Sequence, residues 1–208
     1  MIRAFLGGSF DPVHLSHLQM ATAVYTTLSA HVPSGEISLA LLPTAGNPLK
    51  HQPSDNAHRL AMLRLAVLDT PFVIDEREIV QIPPVYTIDT VQILDKLYPN
   101  DSKILIVGQD SLANFDKWKN YTDILNHVNL WAFARADSGD IVEFLQDKLT
   151  ADLDEFLHNK GKVFLDSTVI DTMSSSQIRS HIAKDEPVEV FLSAKVANYI
   201  KQHRLYVL

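Results

Sequence analysis

The sequence predicts a doubly wound α/β fold: a mostly parallel sheet with helices on both faces, of Rossmann-like type. Three observations predict it. Strand-length apolar runs alternate with longer segments of helical period, the runs are apolar throughout rather than at every second residue, and turn residues separate them. Right-handed crossovers that cover both faces of a parallel sheet leave this pattern.

The strand candidates are Ile2 to Leu6, Ile37 to Leu42, Phe72 to Ile74, Lys103 to Val107, Asn129 to Phe133 and Lys162 to Leu165. Between them, His14 to Leu28 reads as a helix opening after Pro12. Asp55 to Leu68 carries Leu60, Leu63 and Val67 on one stripe, and Thr87 to Leu97 carries Ile88, Val91 and Leu94. The stretches 43–53 and 81–85, rich in Pro or Gly, read as loops. Asp140 to Leu157 reads as an acidic helix with a solvated face. Ser174 to Ala183 and Ser193 to His203 read as terminal helices, the first opened by three serines suited to N-capping.

Composition narrows the function classes. The 208 residues include no cysteine, which excludes a disulfide framework and a Cys-ligated metal. Hydrophobic residues make up 46% and charged residues 21%, so one domain over 1–208 is expected, with 174–208 as its helical C-terminal part. The net charge is −7, with Lys and Arg scattered, which argues against a general grip on nucleic acid. No signal-peptide or membrane-spanning pattern is present, so a cytoplasmic location away from membranes is expected. No heptad or long apolar seam indicates an oligomeric state.

The most informative segment is Gly7-Gly8-Ser9-Phe10-Asp11-Pro12-Val13-His14-Leu15-Ser16-His17, a turn from the first strand into the first helix. At such a turn glycine lets a ligand approach the backbone, and helix N-terminal N–H groups attract phosphate. His14 and His17, three positions apart, are expected on one helix face, aimed at the same volume. The dinucleotide-binding and P-loop glycine patterns are both absent. A zinc reading of the two histidines lacks the usual Glu between them and an obvious third ligand, and alone the pair reads as surface or packing residues. Far along the chain, Met173-Ser174-Ser175-Ser176-Gln177-Ile178-Arg179 offers capping hydroxyls, free N–H groups and an Arg one turn in. Alone it reads as a capped helix with a surface Arg.

Together these segments resemble the two signatures of the nucleotidyltransferase superfamily. Pro43 to Lys50, Arg59 to Ala66, Glu78 to Thr90, and Ile106 to Ser111 leading to Trp118 and Phe133-Ala134-Arg135 resemble one family within it, the nicotinate-nucleotide adenylyltransferases of NAD biosynthesis. The related pantetheine-phosphate adenylyltransferases share the first signature but are shorter and lack the Tyr-Thr and Trp segments. The resemblance implies adenylyl transfer from ATP to nicotinate mononucleotide, with Mg²⁺ carried by the ATP phosphates rather than by protein side chains. It implies that His14, His17 and Arg179 are catalytic. Gly8, Ser9, Phe10, Gly108, Asp110, Ser174 and Ser176 join them in binding ATP, Asp110 at the ribose. Lys50, Tyr86, Thr87 and Trp118 serve the mononucleotide, Trp118 by stacking on the pyridine ring.

Each assignment has a plainer alternative: Trp118 as a core aromatic, Lys50 as a solvated loop residue, Asp110 as a helix cap. Departures from the family pattern are Ser16 for Gly, Leu49 for His, Val85 for Ser and Ser176 for Thr. Nicotinamide mononucleotide or another phosphorylated acceptor is the alternative substrate, and a non-catalytic nucleotide-binding protein the alternative class.

Overall fold

The computed structural model describes residues 1–46, 54–133, 143–171 and 173–207. Seven strands, β1 (Ile2–Gly8), β2 (Ile37–Pro43), β3 (Val73–Ile74), β4 (Ser102–Gly108), β5 (Asn129–Phe133), β6 (Leu149–Thr150) and β7 (Val163–Asp166), form one sheet in the order β3-β2-β1-β4-β5-β7-β6. Every pairing is parallel. The helices are α1 (Leu15–Ser29), α2 (Asn56–Val67), α3 (Thr87–Leu97), α4 (Gln109–Leu112), α5 (Tyr121–Ile124), α6 (Glu143–Gln146), α7 (Leu153–His158), α8 (Ser175–Ala183) and α9 (Ala194–Gln202).

Strand side chains alternate between two cores, which is why the strands read as apolar throughout. Ala4 and Leu6, Leu39 and Leu41, Ile104 and Ile106, and Trp131 and Phe133 pack with α1, α2, α7, α8 and α9. Phe5, Ala40, Leu105, Val107, Leu130 and Ala132 face α3, α4, α5 and α6 on the other side. Caps set the helix starts: Asp55 accepts from the Ala57 N–H at 2.7 Å, and Ser174 and Ser193 accept from Gln177 and Val196. Among the described residues no helix is long and apolar enough to cross a membrane.

The structure corrects two readings and adds elements too short to read. Within the described part of the acidic segment, α6, β6 and α7 replace one solvated helix, and Leu145 and Phe156 are fully buried. The buried face of α2 is Arg59, Met62, Leu63 and Ala66 rather than the stripe through Leu60, Leu63 and Val67, because Arg59 points inward to backbone carbonyls. The short elements β6, α4 and α5 lack enough residues to show a period.

The order of strands reverses at β1 and β4. Their carboxyl ends, Gly7-Gly8 and Gly108, therefore flank the crevice where open α/β sheets bind ligands.

Candidate active site

The glycine turn leaves β1 with Gly8 against the ring of Phe10, whose nearest atoms would lie 3.2 Å from a Cβ added at Gly8. Phe10 is fully buried in the left-handed region (φ 49°), so the turn is held by its packing. His14 is the N-cap of α1 rather than a residue within it, in extended conformation, and its carbonyl accepts from the His17 N–H at 3.0 Å. The two imidazoles still meet, with centroids 3.8 Å apart. The edge of His17 also meets Phe10. The His14 main-chain N–H donates to His17 Nδ1 at 3.3 Å, which leaves the proton of a neutral His17 on Nε2.

Burial lowers the His14 pKa to about 4 and, with His14 beside it, holds that of His17 well below the ordinary imidazole value. Both rings are therefore neutral at pH 7 and sit at the positive end of a helix.

The two signatures, far apart in sequence, meet here. Arg179 Nη1 donates to the carbonyl of Asp11 at 2.6 Å, and Nη2 to Ser176 Oγ at 3.1 Å. Ser175 Oγ donates to the Pro12 carbonyl at 3.0 Å. Ser16, buried, places its hydroxyl 3.4 Å from the Met173 carbonyl, so the residue that departs from Gly joins the same seam. Ser174 and Gln177 form a reciprocal capping box at the start of α8.

Across the crevice, Gly108 is the N-cap of α4 and Asp110 lies exposed in its first turn. The capping alternative for Asp110 is thereby removed, and its carboxylate stands at the β4 end of the crevice. Tyr86 caps α3 without a side-chain bond, Thr87 begins that helix, and Val85 is buried. Lys119 Nζ sits 4.3 Å from the Tyr86 ring centroid, which brings the Tyr-Thr segment beside Trp118. Trp118 is partly exposed and tilts against buried Phe115 at 5.3 Å. Lys50 and Leu49 lie outside the described residues.

Sequence reasoning gave no role to three residues that hold this site together. Arg59, fully buried, donates to the carbonyls of Ser9 (2.7 Å), Thr44 (2.8 Å) and Ser54 (3.2 Å) and to the Asn56 side chain. It ties the glycine turn to segments on either side of 47–53. Asp11 is buried, with Oδ2 accepting from the Ser54 N–H at 3.1 Å and Oδ1 from the Tyr206 hydroxyl at 2.7 Å. An Arg aligned with the apolar face of a helix was the one available signal.

A switch-point crevice walled by two helix N-termini, neutral imidazoles and an Arg defines a protein that handles a nucleotide polyphosphate. The cytidylyltransferase-like family model matches residues 5–181. A protein of Pseudoalteromonas atlantica named "Probable nicotinate-nucleotide adenylyltransferase" is 36% identical over 209 residues, covering 96% of this chain and 92% of that one. One of the same name from Pectobacterium atrosepticum is 33% identical over 216 residues, covering 99% and 98%. The chain belongs to the nicotinate-nucleotide adenylyltransferase family. Among solved structures, the Plasmodium falciparum nicotinic acid mononucleotide adenylyltransferase complexed with NaAD has the same fold, with a TM-score of 0.74 at 16% identity over 98% of this chain and 96% of that one.

Proposed function

We propose that the chain transfers the adenylyl group of ATP to nicotinate mononucleotide, forming nicotinate adenine dinucleotide and pyrophosphate. The observation that carries this reading is the joining of the two signatures at the β1–β4 switch point, through Arg179 and the carbonyl of Asp11. Family membership selects the acceptor.

An oxygen of the mononucleotide 5′-phosphate attacks the α-phosphorus of ATP, and the bond from that phosphorus to the oxygen bridging the β-phosphate breaks. The attacking oxygen is already anionic, so the residues need supply only alignment and charge stabilisation. His17, proton on Nε2, donates to the α-phosphate, and His14 donates beside it. Arg179, Ser174 and Ser176 hold the β- and γ-phosphates at the N-terminus of α8. Gly8, Ser9 and Phe10 line the phosphates through their backbone, Gly108 admits the nucleotide, and Asp110 accepts from the ribose hydroxyls. Tyr86, Thr87 and Trp118 receive the nicotinate half, and Lys50 its phosphate.

Magnesium fits this donor set as a passenger of ATP. Among the described residues no cluster of His, Asp or Glu could hold a metal ion, and Asp11 is engaged by Ser54 and Tyr206, so the phosphates would be the ion's main ligands. When bound, the ion offsets charge on the triphosphate and the departing pyrophosphate.

The test is product identification by mass spectrometry after incubation with Mg-ATP and nicotinate mononucleotide. Dinucleotide and pyrophosphate in equal amounts are expected. ATP binding without product from any mononucleotide would instead support a non-catalytic nucleotide-binding protein.

A further inference from the structure

The chain after α9 curls back toward the glycine turn. Arg204 and Tyr206 both adopt left-handed backbone (φ 49° and 65°), a conformation that non-glycine residues keep only where surrounding contacts enforce it. One such contact is the main-chain bond from the Leu205 N–H to the Ile200 carbonyl at 3.0 Å. The other is the Tyr206 hydroxyl on Asp11 Oδ1, spanning 195 positions of sequence.

Asp11 is the node that this hydroxyl reaches. Its side chain is 7% exposed, and Arg179 Nη1 lies 3.8 Å from Oδ2 while donating to the carbonyl of the same residue. A buried carboxylate needs donors on both oxygens, and Asp11 Oδ1 takes its donor from Tyr206. Without it Oδ1 lacks a donor, and the carboxylate, held then only by the Ser54 N–H on Oδ2, turns toward Arg179 and draws the guanidinium away from the crevice.

We propose that Tyr206 is a positioning residue for ATP: by holding the Asp11 carboxylate it fixes the glycine turn and keeps Arg179 directed at the triphosphate. The inference rests on the reading of Arg179 as a phosphate ligand. The hydroxyl of Tyr206 acts through Asp11. Arg59 supports the same turn from below through the Ser9 carbonyl.

Tyr206→Phe removes one hydroxyl and keeps the ring. Mg-ATP affinity measured by calorimetry without acceptor should fall about tenfold, the scale of one hydrogen bond to a charged group. KM for ATP should rise in parallel and KM for the mononucleotide should stay within about twofold, while the urea unfolding midpoint falls by no more than one buried hydrogen bond accounts for and the variant stays folded under assay conditions. In an Asp11→Asn background the substitution should add little, because its effect passes through that carboxylate.

Unchanged Mg-ATP affinity in Tyr206→Phe overturns the inference, as does an equal weakening of both substrates that tracks a loss of folding. If the wild-type protein binds Mg-ATP but yields no dinucleotide, the adenylyl-transfer reading fails while the calorimetry still decides the role of Tyr206. A wild-type protein that does not bind Mg-ATP overturns both.

Discussion

Arg179, on α8, donates to the main-chain carbonyl of Asp11 at 2.6 Å and so joins the end of the chain to the turn after its first strand. The bond occupies one guanidinium nitrogen and orients the rest toward the N-terminus of α8. Arg179→Ala should therefore weaken Mg-ATP binding by about 10- to 100-fold, as expected for charge-assisted bonds, and Arg179→Lys should recover only part because an ammonium cannot bridge carbonyl and phosphate in one plane. Calorimetry on the folded variants measures this.

His17 presents its proton on Nε2 because Nδ1 accepts from the His14 backbone. His17→Ala should lower kcat by the equivalent of about 2–4 kcal/mol with the fold retained, since an oxyanion donor is lost. Steady-state rates paired with circular dichroism separate this from unfolding. Near-wild-type turnover would remove His17 from the chemistry.

The lowered His14 pKa makes stability depend on pH. The unfolded imidazole takes a proton near pH 6.5, whereas the folded one resists until about 4. Between these values the unfolded state binds more protons, so stability is full above pH 6.5 and is lost as pH falls toward 4. The loss should reach about 3 kcal/mol at low pH, and urea midpoints from pH 7 to pH 4 should fall less steeply in His14→Gln.

Arg59→Ala leaves several part-buried carbonyls without their donor. Destabilisation of at least about 3 kcal/mol is expected from that loss, with only partial recovery in Arg59→Lys, whose three donors cannot reproduce the planar fork. Chemical denaturation checks both.

Trp118 leans on Phe115 and is partly exposed. If it stacks on the pyridine ring, Trp118→Ala should raise KM for the mononucleotide about 3- to 10-fold and leave KM for ATP near its wild-type value, while Trp118→Phe retains most of the platform.

The architecture was legible because strands buried on both faces are apolar throughout and because long amphipathic helices repeat between them. The two-residue strand β6 and the four-residue helices α4, α5 and α6 were not, since such lengths carry no period. Of the site, His14, His17, Ser174 and Arg179 stood out through motif spacing. Arg59, Asp11 and Tyr206 did not, because their work is done through contacts 50, 43 and 195 positions away. For Arg59 the one trace in the sequence is its alignment with the apolar face of α2, which does not reveal the carbonyls it binds.

The most direct test of the central claim is pyrophosphate release with Mg-ATP, comparing nicotinate with nicotinamide mononucleotide through the ratio of kcat/KM. The account predicts turnover with a strong preference for the acid, which differs from the amide by one charge. Turnover of neither mononucleotide, or a preference for the amide, would contradict it.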